Sequence, residues 1–103
     1  MSVVFRALAD PTRRRVLELL KQGPKSAGDL AGEFKVSKPT MSAHFAVLRE
    51  AGLVASEKRG TTIVYELQMS VLEDALLKFA QAFGWELKST APAGAKPISE
   101  EKA

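Results

Sequence analysis

Ser37-Lys-Pro-Thr-Met-Ser-Ala-His-Phe-Ala-Val-Leu-Arg-Glu-Ala-Gly-Leu-Val-Ala-Ser56 is the stretch that decides the fold. Ser37 is a strong helix N-cap, and Pro39 falls in the first turn, where a missing N–H breaks no helical bond. Met41, Phe45 and Leu48 recur at helical spacing, with Val47 beside them. Gly52 supplies the glycine that commonly follows a helix C-cap. The helix therefore keeps polar and small residues at its N-terminal end and apolar ones further on. Leu53 to Lys58 then reads as a strand, and Thr61 to Leu67 as its partner, with Ile63, Tyr65 and Leu67 alternating against Thr62, Val64 and Glu66. Arg59-Gly60 joins them, because Gly60 supplies the positive φ that a tight hairpin needs.

Upstream, Val3 to Ala9 can form a short helix with Val4 and Leu8 on one face and Phe5 beside them. Asp10-Pro11 then caps and opens a second helix running to about Lys21, whose apolar face is Val16, Leu17, Leu19 and Leu20. Gln22-Gly23-Pro24 ends it. Ser26 caps a third, short helix carrying Leu30, Ala31 and Phe34, with Asp29 in loose capping-box register. Downstream of the hairpin, Ser70 is expected to cap a last helix with Leu72, Leu76, Phe79 and Phe83 at helical spacing. From Lys88 the composition turns to Ala, Pro, Ser, Gly, Lys and Glu, so residues 88–103 are expected to be a flexible tail behind one domain over 1–87. The predicted class is mainly α with a β-hairpin, in the order α-α-α-α-β-β-α: a winged helix-turn-helix.

A helix with a polar tip, joined to a basic hairpin, suits double-stranded DNA. The tip can enter a major groove while the hairpin holds the flanking backbone. The bulk charge agrees only mildly, with 15 Lys and Arg against 12 Asp and Glu and a net charge of +3. The chain has no cysteine, which excludes disulfides, thiolate metal sites and thiol redox sensing. A single histidine argues against structural zinc. No apolar run approaches the ~20 residues of a membrane span, so no membrane insertion is expected. The first ten residues lack the basic start and long apolar stretch of a secretory signal, which predicts a cytoplasmic protein. No cysteine nucleophile, Ser–His–acid set or phosphate-binding glycine loop can be placed, so neither an enzyme nor a cofactor is expected.

Three stretches resemble the ArsR/SmtB family of bacterial winged-helix repressors. Ala7 to Leu20 is similar to its opening helix pair, Ser37 to Val54 to its recognition helix and exit, and Lys58 to Leu67 to its wing. With the last helix they cover roughly residues 3–85. The Asp-Pro-Thr-Arg-Arg opening and the absence of metal ligands look most like the SdpR-like autorepressor branch. The resemblance implies DNA contacts by Ser37, Lys38, Thr40, Met41, Ser42 and His44 at the reading tip, and by Lys58, Arg59, Gly60 and Thr61 at the wing. Ser37 also reads as an N-cap, Met41 as core, and His44 as a possible structural residue. Metal sensors of the family often carry a Cys-x-Cys pair where Ser26 and Gly28 stand here, or Asp and His ligands on the last helix. That helix offers adjacent Glu73 and Asp74, which diverge by about 100° and make a poor transition-metal site.

Arg13, Arg14 and Arg15 open the second helix, where the dipole mildly disfavours positive charge. They read equally as a solvated face, with Arg14 and Glu18 paired at i,i+4, or as partners for a phosphate or an acid. The apolar stripe of the last helix, extended by Trp85, exceeds what a small core needs. Val4, Phe5, Leu8, Leu72, Leu76, Phe79 and Phe83 are therefore expected to pair with their copies in a homodimer through the first and last helices. Such a dimer predicts an inverted-repeat operator. Two other readings stay open: a protein-interaction module docking a partner through the wing or last helix, and a sensor of an unidentified small ligand.

Overall fold

The computed structural model describes residues 2–84. The tail expected at 88–103, the end of the domain at 87 and Trp85 lie outside the described residues. Eight elements follow in order: α1 (Ser2–Leu8), α2 (Pro11–Leu20), β1 (Lys25–Ser26), α3 (Ala27–Ala31), α4 (Lys38–Glu50), β2 (Val54–Arg59), β3 (Thr62–Leu67) and α5 (Met69–Ala82). Helices α3 and α4 form the helix-turn-helix, and β2 and β3 the wing. One element was not expected. Lys25 and Ser26 pair antiparallel with Tyr65 and Val64, so the sheet has three strands in the order β1-β3-β2. Two residues are too short for an alternating pattern to show.

The helix ends follow their capping residues. Asp10 accepts from the backbone N–H of Thr12 and Arg13 at 2.8 and 3.1 Å. Ser26 accepts from the Asp29 N–H at 3.0 Å, and Ser37 from the Thr40 N–H at 3.3 Å. At the other end of α4, the Gly52 N–H donates to Arg49 O at 2.9 Å and the Leu53 N–H to Leu48 O at 3.0 Å. With Gly52 at φ +77°, this is a Schellman stop. Its apolar companions, Leu48 and Leu53, are both fully buried. The helix therefore ends at the point where β2 can begin.

Several boundaries differ from the sequence expectation. Helix α3 stops at Ala31, so Phe34 lies beyond it in the turn. The hairpin turn is Gly60-Thr61, because Arg59 pairs with Thr62, and Gly60 holds φ +65°. Ser70 does not cap α5: Gln68 occupies that position and makes no side-chain capping bond. The Val71 N–H instead donates to Gln68 O, and Gln68 is itself tied to Leu53 O through its N–H at 2.8 Å. This backbone link starts α5 two residues earlier than a Ser70 cap would.

The core gathers Val16, Leu17, Leu19 and Leu20 of α2, Leu30 of α3, and Met41, Phe45 and Leu48 of α4. Val4 and Ala7 of α1, Leu53, Val54 and Tyr65 complete most of it. Burying each large apolar side chain stabilises by roughly 1.5–3 kcal/mol. Phe45 stacks on Tyr65 with ring centroids 4.7 Å apart, which fixes the wing against the middle of α4.

Candidate nucleic-acid interface

The outward side of the α4 tip is polar. Ser37, Lys38, Thr40 and Ser42 are all exposed. Ser37 Oγ donates to Thr40 Oγ1 at 2.9 Å while accepting from the Thr40 N–H. That bond occupies one lone pair of Thr40 and leaves its own hydroxyl proton free to donate. Lys38, at the first helical position, adds a mobile cation beside these hydroxyls. The tip can therefore donate to phosphates or to acceptor groups on base edges.

The wing tip, Lys58, Arg59, Gly60 and Thr61, is exposed as a run. Arg59 is paired with Glu57 at 3.1 Å, both side chains more than half exposed. An exposed pair of this kind contributes little and exchanges readily for a phosphate.

Two residues expected at the DNA face point elsewhere. Met41 is 2% exposed and belongs to the core, although Lys38 and Ser42 lie beside it on α4. The helical stripe Met41–Phe45–Leu48 buries it, so its thioether meets protein rather than bases. His44 is 14% exposed and faces the α1–α2 junction. Its Nδ1 lies 3.1 Å from Nη1 of Arg13, and its Nε2 lies 3.9 Å from Oδ2 of Asp10. Arginine has no acceptor, so Nδ1 accepts and the ring proton sits on Nε2, towards the carboxylate. Both nitrogens are turned inward, which takes His44 out of the set of outward-facing donors.

The arginine run has a structural use that the sequence did not show. Arg13 Nε donates to Ala7 O at 2.8 Å and Nη2 to Arg6 O at 3.0 Å. Arg14 donates to Leu8 O at 2.7 Å. These are the last carbonyls of α1, of which Arg6 O also accepts from the Ala9 N–H at 3.2 Å. The expected Arg14–Glu18 pair is absent, because Arg14 is turned back onto α1; Arg15 pairs with Glu18 instead, at 3.0 Å. The available signal was electrostatic: cations at a helix N-terminus gain most from a nearby helix C-terminus, and α1 ends two residues before α2 begins.

Beyond the reading elements, α5 buries only Ala75 and Ala80 fully. Leu76 is 41% exposed, Phe79 37% and Phe83 64%. Phe5, Phe79 and Phe83 form a ladder of rings with successive centroids 5.0 Å apart. Val4 departs from the expected interface set: at 8% exposure it packs into the core from the inner side of α1. Leu8 and Leu72 are half-buried against that core. Among the described residues no three His, Cys, Asp or Glu side chains cluster closely enough to hold a metal ion. No described helix is long and apolar enough to cross a membrane.

The sequence profile described as "Bacterial regulatory protein, arsR family" matches residues 10–56. The transcriptional repressor SdpR of Bacillus subtilis is 43% identical over 76 residues, spanning 74% of this chain and 84% of that protein. The arsenical resistance operon repressor of Staphylococcus xylosus is 36% identical over 73 residues, spanning 71% of this chain and 70% of the relative. The crystal structure of an ArsR family transcriptional regulator matches with a TM-score of 0.74 at 29% identity, covering 80% of this chain and 90% of that one. A polar-tipped reading helix, a basic wing and these relatives converge on one conclusion: the chain belongs to the arsR family of bacterial regulatory proteins, as a DNA-binding winged helix-turn-helix transcriptional regulator and not an enzyme.

Proposed function

We propose that this chain is a homodimeric repressor that binds an inverted-repeat operator and needs no metal of the kind its metal-sensing relatives use. The α4 tip carries the reading: Ser37, Lys38, Thr40 and Ser42 are exposed while Met41, Phe45 and Leu48 anchor the helix in the core. Lys58, Arg59, Gly60 and Thr61 would follow the flanking backbone or the adjacent minor groove. Repression, rather than activation, is supported by likeness to relatives that are themselves repressors.

The second copy is supported by the exposed side chains of Leu76 and Phe79 beside Phe5. A contiguous apolar face of this kind on a small domain favours a two-fold partner. Metal independence is supported by Ser26 and Gly28, which offer no thiolate, and by Asp74, which pairs with Lys78 at 3.3 Å. Residues 1–87 would suffice for both dimerisation and DNA binding, in the cytoplasm.

Selection from a pool of random duplexes, with chelator present, tests the proposal. The enriched sequences are expected to share an inverted repeat with half-sites roughly one helical turn apart. A bound pool with no common sequence would overturn it. A single unrepeated half-site would keep DNA reading and reject the dimer.

A further inference from the structure

Arg13 presents its guanidinium to two different elements at once. Nε and Nη2 hold the carbonyls of Ala7 and Arg6 at the end of α1, and Nη1 holds Nδ1 of His44 in the middle of α4. The guanidinium is a rigid plane, so these three bonds fix one relative placement of the two helices. Asp10 supports the same ring from α2, through the oxygen that caps that helix. The other anchors of α4, Met41, Phe45 and Leu48, make apolar contacts. The hydrophobic effect behind such contacts is non-directional. The Arg13–His44 bond adds a directional constraint on the rotation of α4. The same α1 carries Phe5, whose ring packs on the partly exposed ring of Phe79.

Resting on the operator-binding reading above, we propose that the Arg13–His44 hydrogen bond is a positioning link between the dimer-face helix α1 and the reading helix α4, one that sharpens base discrimination without touching DNA. Phosphate contacts tolerate a small rotation of α4, because a lysine or hydroxyl can follow a phosphate. Base-edge contacts do not, because the donor and acceptor pattern in the groove is fixed. Loss of the link therefore acts on selectivity first.

The test uses the full-length protein and three variants: His44→Leu, which removes the acceptor; Arg13→Lys, which keeps the charge but loses the fork; and His44→Asn, whose side-chain oxygen can stand close to the Nδ1 position. The readouts are affinity for the selected repeat, affinity for a scrambled duplex, and the salt dependence of both. His44→Leu and Arg13→Lys are expected to lower the repeat-to-scrambled ratio by about tenfold, the effect of one mismatched base pair. Scrambled binding and its salt slope should stay as in the wild type, and His44→Asn should recover most of the ratio. Equal weakening on both duplexes with a shallower salt slope would make Arg13 or His44 a phosphate contact and overturn the proposal. An unchanged ratio would also overturn it. If His44→Leu does not fold, Arg13→Lys against His44→Asn decides by the same ratio. A wild type that does not prefer the repeat defeats the operator reading and this proposal together; a selective wild type beside fully selective variants defeats the link alone.

Discussion

Asp10 accepts from the N–H groups of Thr12 and Arg13 through the oxygen that also faces His44. Burial is the largest influence on this carboxyl and pushes its pKa up. The N–H bonds from Arg13 and Thr12, with the electrostatic pull of His44 and Arg13, together outweigh burial and hold the pKa below its ordinary value. A depressed folded-state pKa means the ionised group stabilises the fold above its unfolded value, about 3.9, and loses that contribution as pH falls through the folded value. Asp10→Asn keeps a capping oxygen and drops the charge. The variant is expected to unfold more easily than wild type at pH 7, with the gap closing below about pH 4, as read from denaturant midpoints across that range. A gap independent of pH would assign the effect to the cap alone. Lys38→Ala is expected to weaken binding to the selected repeat by ~1–3 kcal/mol and to relax the preference at one base position. Equal losses on repeat and scrambled DNA would make Lys38 a phosphate contact. At this scale the sequence was informative for caps, because a cap is a local contact. It placed His44 with the DNA contacts and did not show its partners, which lie 31 and 34 residues away and become visible only when α2 and α4 pack.

At the scale of elements, α4 and the wing were legible because periodicity and punctuation agreed. The apolar stripe, Ser37 at one end and Gly52 at the other all pointed to the same helix. Gly52 is held by backbone geometry and not by crowding: a Cβ added there would meet only Val71 side-chain atoms at 3.8 Å or more, while its φ is +77°. Gly52→Ala is therefore expected to destabilise the fold by about 1–2 kcal/mol, the cost of a left-handed non-glycine residue. Chemical denaturation should show this with little change in the denaturant slope; an equally stable variant would contradict the Schellman stop. Strand β1 and the start of α5 were not legible. Both are set by backbone bonds to distant segments, Lys25 to Tyr65 and Gln68 to Leu53, and carry no side-chain signature.

At the scale of the whole molecule, the described fold leaves its largest apolar side chains on α5 outward, with Phe83 64% exposed. The sequence indicated this surplus by counting apolar residues against a small core. It misassigned Val4, because a seven-residue helix shows too few turns to separate its inner from its outer face. Leu76→Glu is expected to turn a dimer into a folded monomer, seen by sedimentation, with unchanged helical circular dichroism. Its affinity for a two-half-site duplex should fall well below that of the parent, because each half-site is then bound alone. A dimeric Leu76→Glu protein would place the interface elsewhere. The most direct test of operator recognition is titration of the purified protein onto the selected inverted repeat and onto a scrambled duplex, at two salt concentrations with chelator present. The predicted result is a strong preference for the repeat, by a factor of about 10³ or more, with affinity falling steeply as salt rises. Equal affinity for the two duplexes, or selectivity that appears only when metal is restored, would contradict it.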